Sequence, residues 1–325
     1  MKKIITISRV AEILQNAKNV AIYTHINTDC DAVGSSLALR EVLRGLGKTA
    51  DVFVHSNFPS NFEVFGDLSF YNQKTTSSYD LAVCLDAANE ARLGKYQYIY
   101  KKGTKNSLQI DHHNLSNDNY CNENYVVSAS STAEILFDVF KEMKVGFTPY
   151  VCRCLLAGIE TDTGKFSFSV DSKTFKVAGE LVEMGKIKME EIVVPLFSSM
   201  KLETFSLLKI AYQKIELFSE NHLAMIILNN DDFVMTNTTI DDTGGFVDIA
   251  MQIGSVKFLI LASEDDKGYF RVSLRSKGDL SAKAVAEKFG GGGHLNASGC
   301  KIFGSADYVK QSLLDCALSE LGWRK

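Results

Sequence analysis

The chain has 325 residues, 46% of them hydrophobic and 23% charged, an ordinary composition for a folded protein large enough to build two cores. Its formal charge of −4 provides no overall attraction to polyanions, which excludes long duplex DNA and anionic membrane surfaces as main partners but leaves room for a local basic site.

Ile4, Val10, Ile13 and Leu14 share one face of an expected first helix. Residues 19–25 predict a buried strand (Val20, Ala21, Ile22, Tyr23). Residues 32–47 predict a helix that carries Val33, Leu37, Leu39, Val42, Leu43 and Leu46 and ends at Gly45 and Gly47. Strands are expected at 50–54, 80–86 and 107–111, and helices at about 131–144, 149–160 and 173–185. This alternation predicts an α/β fold with a mostly parallel sheet covered on both faces. Residues 186–218 have few strand signals and read as a helical connector. Apolar strands follow at 222–229, 256–262 and 269–275, then a helix at about 281–288, four glycines, a strand at 299–303 and a helix at about 306–321. The expected organisation is a domain over 1–185, the connector over 186–218, and a smaller α/β domain over 219–325.

The seven cysteines show no framework spacing, and Cys152 and Cys154 are not spaced as a redox or zinc pair. Thr6, Ser8, Arg9 and Glu12 interrupt any signal-peptide core, so reduced thiols and a cytoplasmic location are expected. No apolar run reaches the roughly 18–20 residues of a membrane span. Only Pro59, Pro149 and Pro195 occur, which argues against long disordered linkers.

Chemistry concentrates in five motifs. They are His25-Ile-Asn-Thr-Asp29-Cys-Asp31, Asp86 after the apolar run Leu81–Leu85, Asp111-His112-His113, Gly158-Ile-Glu-Thr-Asp162-Thr-Gly164, and Gly290-Gly-Gly-Gly-His294. Most of the first four follow apolar stretches, which puts oxygen and imidazole ligands on loops at one edge of the sheet, where α/β proteins bind ligands. Four of these Asp residues gathered there with two or three His carry too much charge to stand without cations. Mixed imidazole and carboxylate ligands favour manganese or a similar first-row ion, and the absence of cysteine ligands argues against structural zinc. His112 and His113 are neighbours pointing different ways, so one is expected to ligate and the other to meet substrate. Any single residue here is adequately explained as a capping Asp or a core His; the regular placement after strands is what favours a metal site.

His25–Leu37, Leu85-Asp86, Ile110–His113, Ser130–Glu134 and Gly158–Gly164 resemble, in that order, the DHH phosphoesterase superfamily, and Gly290–His294 with Asn296–Gly299 resembles its DHHA1 substrate domain. Within the superfamily the chain is similar to the short two-domain nanoRNase/pAp phosphatase type. The resemblance implies that His25, Asp29 and Asp86 hold one manganese. Asp31, Asp86, His112 and Asp162 hold a second, with Asp86 bridging and Mg²⁺ or Co²⁺ as substitutes. His113 contacts the scissile phosphate, and Asp111 supports the loop and orients a ligand histidine. Thr28 stands where the family usually has Pro.

In the second domain, Arg271, Ser273 and Arg275 alternate with Val272 and Leu274 and share one strand face. Arg forks match phosphate oxygens, and a glycine run lets backbone N–H groups approach an anion. By the resemblance, Arg275, Ser276, Gly292, Gly293 and His294 bind the substrate, with the active site in the cleft between the domains. Arg271 reads first as a solvated strand residue, Ser131–Glu134 as a capping box, and His55 and His222 as structural or surface residues. Arg92 either supports the site or makes a surface pair.

The function implied is two-metal hydrolysis of short oligoribonucleotides or linear dinucleotides such as pApA and pGpG to mononucleotides, together with pAp to AMP. No membrane partner is expected, and a homodimer is compatible with the sequence. The alternatives are a family II inorganic pyrophosphatase, opposed by the Gly-Gly-Gly-Gly-His motif, and a non-catalytic nucleotide sensor, opposed by the full ligand set.

Overall fold

The computed structural model describes residues 3–55, 60–102, 104, 106–113, 119–198, 200–266, 268–293 and 295–323. They form two compact units, Met1–Ser199 and Met200–Lys325.

The first unit contains β1 (Lys3–Ile4), α1 (Ile7–Asn16), β2 (Asn19–Tyr23), α2 (Cys30–Gly45), β3 (Thr49–Phe53), β4 (Leu81–Leu85), β5 (Asn106–Asp111), β6 (Glu123–Val126), α3 (Thr132–Glu142), α4 (Pro149–Asp162), α5 (Ser172–Gly185) and α6 (Glu190–Phe197). Its sheet runs β1-β6-β5-β4-β2-β3, and every pairing is parallel. The continuous apolar runs of β2 and β4 suit strands buried on both sides. The two faces are covered differently. Residues of α1–α6 pack with Ile22, Val83, Leu85 and Ile110 on one face. The other face carries Tyr23, Phe53, Tyr79, Cys84, Tyr100 and Tyr120 under short turns. The expected two-sided cover is present, but its second layer is aromatic rather than helical.

From β2 the chain passes through α2 to β3 on one side, whereas β4 leads to β5 on the other. The adjacent ends of β2 and β4 are therefore the switch point of the sheet, where side connections diverge and leave a crevice. His25, Asp29 and Asp31 follow β2, and Asp86 follows β4. Topology alone thus brings two separate stretches of acidic sequence to one spot.

The second unit contains α7 (Leu202–Gln213), β7 (Glu216–Phe218), β8 (Leu223–Leu228), α8 (Asn230–Thr236), α9 (Phe246–Ala250), β9 (Phe258–Glu264), β10 (Tyr269–Ser276), α10 (Ala282–Lys288), β11 (Gly292–Gly293), β12 (Ala297–Phe303) and α11 (Ala306–Leu321). Its mixed sheet runs β11-β12-β10-β9-β8-β7, with β8 and β9 parallel and the other pairs antiparallel. One face packs α10 and α11 onto β10 and β12. On the other, α7, α8 and α9 cover β8 and β9.

The stretch 186–218, treated above as one connector, is divided. α6 belongs to the first unit, while α7 and β7 belong to the second. Among the described residues, no helix is long and apolar enough to cross a membrane.

Candidate active site

The loop after β2 is built by hydrogen bonds. Asp29 caps α2, its Oδ1 accepting from Ala32 N at 3.0 Å, and its Oδ2 lies 3.4 Å from His25 Nε2. Buried Thr28 donates from its hydroxyl to His25 O at 2.8 Å, closing the loop where the family pattern has a proline ring. His25 is buried with Nδ1 2.6 Å from Ile26 O, which leaves Nε2 to face Asp29 and Asp86.

Asp31 lies in the first turn of α2, fully buried, against the N-terminus of α3. Thr132 N donates to its Oδ2 at 2.7 Å, Ala133 N to its Oδ1 at 3.0 Å, and Ser35 Oγ to the same Oδ1 at 3.3 Å. Unpaired helix-start amides are suited to an anion. Gly158 of α4 makes the approach feasible, since a Cβ there would stand 2.7 Å from Asp31 Oδ1 and 2.9 Å from Ala133 Cβ.

Asp86 is the centre of the group. Its backbone is left-handed, φ 56°, which turns the chain sharply off β4. Oδ2 lies 3.4 Å from His25 Nε2, and Oδ1 lies 3.5 Å from His112 Nε2 and from His113 Nδ1. Thr132 Oγ1 donates to Oδ1 at 3.1 Å. Asp162, the last residue of α4, has Oδ2 3.2 Å from His112 Nε2.

The sequence-predicted residues are therefore gathered in three overlapping sets: His25, Asp29 and Asp86; Asp31, His112 and Asp162; and Asp86, His112 and His113. Within each set, one ligand atom per residue lies within 4.8 Å of the others.

Two expectations change in detail. His112 and His113 do not diverge; their ring centroids are 4.6 Å apart and both face Asp86. Asp111 holds His113 rather than His112: its Oδ1 accepts from His113 N at 3.0 Å and lies 2.7 Å from His113 Nδ1. His112 Nδ1 instead faces Ala129 O at 3.4 Å.

Electrostatics fit a cation centre. Burial first, then the neighbouring Asp86 and Asp162 carboxylates, push the Asp31 carboxyl well above its ordinary value. Asp162 is pushed up to about 7, mainly by burial, with His112 opposing and Asp86 adding. Burial would raise Asp86 too, but hydrogen bonds from His112 and His25 outweigh it and hold this carboxyl well below the usual range. Against their own burial, His25 is raised to about 11 by Asp29 and Asp86, and His112 to about 10 by Asp86 and then Asp31 and Asp162. The imidazoles are thus asked to supply positive charge that cations would otherwise supply. Asp162 also sits at the negative end of α4, where an anion is disfavoured unless a cation offsets it. Carboxylate oxygens and bare imidazole nitrogens on one crevice make a donor set that fits divalent cations.

Sequence reasoning missed the role of Thr132. The expected capping box is also only half present. Ser131 Oγ accepts from Glu134 N at 3.1 Å, but the Glu134 carboxylate reaches back to the N and hydroxyl of Ser130, and takes Thr174 Oγ1 at 3.0 Å. The residues that cap α3 thereby fix the helix start that grips Asp31.

In the second unit, Arg271, Ser273 and Arg275 share the open face of β10, while Ser276 points to the buried side. The Ser276 hydroxyl donates to Leu280 O at 2.6 Å and accepts from Asn296 Nδ2 at 3.0 Å, so it closes a turn and does not stand with Arg275. Arg271 is likewise spent: it pairs with Asp241 at 2.8 Å and donates to Ile240 O, pinning the 240–243 turn. Arg275 has its one described hydrogen bond to Leu274 O at 3.1 Å and no carboxylate partner among the described residues. Gly292 and Gly293 pair with Gly299 and Ser298. A Cβ at Gly293 would stand 2.6 Å from Ala297 O, whereas one at Gly292 would meet open space. His294 lies outside the described residues.

Residues 19–159 match the family model for the DHH family, N-terminal domain, and residues 231–317 match the DHHA1 domain. The chain is 30% identical over 302 residues to the bifunctional oligoribonuclease and PAP phosphatase NrnA of Bacillus subtilis, covering 91% of this chain and 93% of that one. It is 30% identical over 327 residues to the protein of the same name from Thermus thermophilus, covering 96% and 93%. The crystal structure of an exopolyphosphatase-related protein from Bacteroides fragilis matches it with a TM-score of 0.88 at 25% identity, over 97% of each chain. With matched motifs, a matched fold and relatives aligned across both units, the chain belongs to the DHH family, in the form that carries a DHHA1 domain.

Proposed function

We propose that the chain is a manganese-dependent hydrolase of phosphoester bonds that cuts short oligoribonucleotides and linear dinucleotides such as pApA and pGpG to mononucleotides and converts pAp to AMP. The observation that carries this reading is the convergence on Asp86 of His25 and Asp29 from one side and of His112, with Asp31 and Asp162, from the other. His25, Asp29 and Asp86 would hold one Mn²⁺; Asp31, Asp86, His112 and Asp162 would hold a second. Bound cations of this kind acidify water and neutralise phosphoryl charge.

The chain's own groups do the rest. Thr132 and Ala133 amides keep Asp31 in place, and the Thr132 hydroxyl steadies Asp86. Asp111 accepts from the backbone and ring N–H of His113 and orients the ring, and the imidazolium form of His113, which Asp111 and Asp86 favour against its burial, donates from Nε2 to a phosphoryl oxygen. In the second unit, Arg275, the Gly292–Gly293 backbone and His294 hold the substrate's far phosphate and nucleotide. Such a clamp favours short chains and needs no extended basic track, in keeping with the −4 charge. The relatives named as oligoribonuclease and PAP phosphatase support the substrate class. All seven cysteines are free, in keeping with work in the cytoplasm.

The test is hydrolysis, with added Mn²⁺, of pApA, pGpG, a five-mer and a 20-mer RNA, pAp and pyrophosphate. Rapid release of mononucleotides from the dinucleotides with little from the 20-mer is the expected result. Phosphate release from pyrophosphate alone would make the protein a pyrophosphatase, and silence across the panel would make it a sensor.

A further inference from the structure

Arg92 stands at the edge of the crevice beside His25. Its backbone is built in firmly. Asn89 Oδ1 accepts from Arg92 N at 3.2 Å, and Arg92 O accepts from Ile26 N at 2.7 Å, tying the turn after β4 to the loop after β2. Two residues on, Gly94 has φ 56°, and a Cβ there would stand 2.4 Å from both His55 Nδ1 and Ile26 Cγ2. Lys95 N donates to His55 Nδ1 at 2.9 Å. The ends of β2, β3 and β4 are thus locked around this turn. Its guanidinium is not locked. It makes one described polar contact, Nη2 to His25 Nδ1 at 3.2 Å, and among the described residues no carboxylate pairs with it.

That single contact is incompatible with ligation by His25. If Nδ1 carries the proton, it donates to Ile26 O at 2.6 Å, Nε2 is free to bind a cation, and Nδ1 has no lone pair for Arg92. If Nδ1 instead accepts from Arg92, the neutral ring carries its proton on Nε2 and cannot ligate. A cation on His25 therefore leaves the Arg92 guanidinium, at the edge of the crevice, without a side-chain acceptor among the described residues. Guanidinium forks match phosphate oxygens in pairs.

We propose that Arg92 is a substrate-binding residue of the first unit, donating to the oxygens of a substrate phosphate on the His25 side of the centre. The inference rests on the phosphoester reading for its substrate class, but anion binding tests it separately.

Two measurements decide it, made on the full-length Mn²⁺-loaded protein and on Arg92→Ala and Arg92→Lys. Calorimetric titration with inorganic phosphate and with AMP should show roughly ten- to hundredfold weaker binding in Arg92→Ala, with Mn²⁺ affinity unchanged. Arg92→Lys should recover part of the loss, because it returns the charge without the fork. In the hydrolysis of pApA, Arg92→Ala should raise KM or lower kcat/KM by a similar factor, and added guanidinium should restore part of it. A fall in Mn²⁺ affinity that tracks the loss would make Arg92 a support for His25 and overturn the proposal. Unchanged phosphate and AMP binding would also overturn it. If the wild-type protein cleaves no phosphoester, the substrate reading fails, and the anion titrations still decide whether Arg92 binds phosphate.

Discussion

The two units handle charge in opposite ways. In the first, Asp31 is buried and satisfied by two helix-start amides, Asp86 by a threonine hydroxyl and imidazoles, and Asp111 by His113. In the second, the open face of β10 carries two arginines four residues apart, one pinned to a turn and one with no carboxylate partner among the described residues. The first arrangement is what a cation centre needs: donors placed in advance, so that binding costs little rearrangement. The second shows that an arginine's task is decided by what faces it. Asp241 across from Arg271 makes it structural, and among the described residues no carboxylate pairs with Arg275.

The contrast is tested hardest at Asp86. Asp86→Asn keeps a residue type that tolerates φ 56°, so the backbone is spared while the charge is lost. Turnover should fall about a thousandfold or more in a variant that still folds, as read by circular dichroism. A folded variant with near-normal rates would remove Asp86 from the centre.

Gly158→Ala probes the placement of Asp31 without replacing a proposed ligand. The added methyl would crowd Asp31 Oδ1 at 2.7 Å, and Mn²⁺ affinity should drop about ten- to hundredfold in a calorimetric titration. Undiminished affinity would mean that Asp31 is not held by this contact.

Arg275→Ala and Arg271→Ala form a matched pair. The first should raise KM for a dinucleotide about tenfold or more and leave stability alone. The second should leave KM alone and cost about 1 kcal/mol of stability in denaturant unfolding, since its ion pair is largely exposed. Interchanged phenotypes would reverse the assignment of the two residues.

The smallest effect concerns pH. In the metal-free protein, His25 and His112, raised to about 11 and 10, contribute stability that is complete below their ordinary 6.5 and is lost as pH rises toward the folded values. Asp162, raised to about 7, adds a penalty that grows as pH rises from its ordinary 3.8 through 7. The depressed Asp86 contributes a constant amount above its ordinary 3.8. The metal-free protein should therefore melt lower at pH 8.5 than at pH 6. Because Mn²⁺ displaces these protons, the rise in Tm that it causes should be larger at pH 8.5. Equal rises at both pH values would contradict the assignment of these groups as ligands.

Much of this was legible in the sequence because most of the proposed ligands follow the strands that place them. Leu81–Leu85 announces β4, and Asp86 closes it; β2 and the 25–31 motif stand in the same relation. Short polar elements were not legible. β6 has only Tyr125 and Val126 as apolar residues, and β1 spans two residues, so neither carries a period. α8 was not legible either, because its first residues, Asn230, Asp231 and Asp232, carry no apolar period. The grip of α3 on Asp31 joins residues 101 positions apart, and no local pattern records it. The signal that was available is Ser130–Glu134, whose cap fixes the helix start, and Gly158, whose missing side chain makes room. Arg271 and Arg275 were indistinguishable because alternation gives a face, not a partner.

The central claim is that Asp86 stands between two cations, and Mn²⁺ titration followed by electron paramagnetic resonance tests it most directly. Two equivalents of Mn²⁺ should bind and give the spectrum of a spin-coupled pair, and Asp86→Asn should lose that coupling. A single bound equivalent with the six-line signal of an isolated ion would contradict the account.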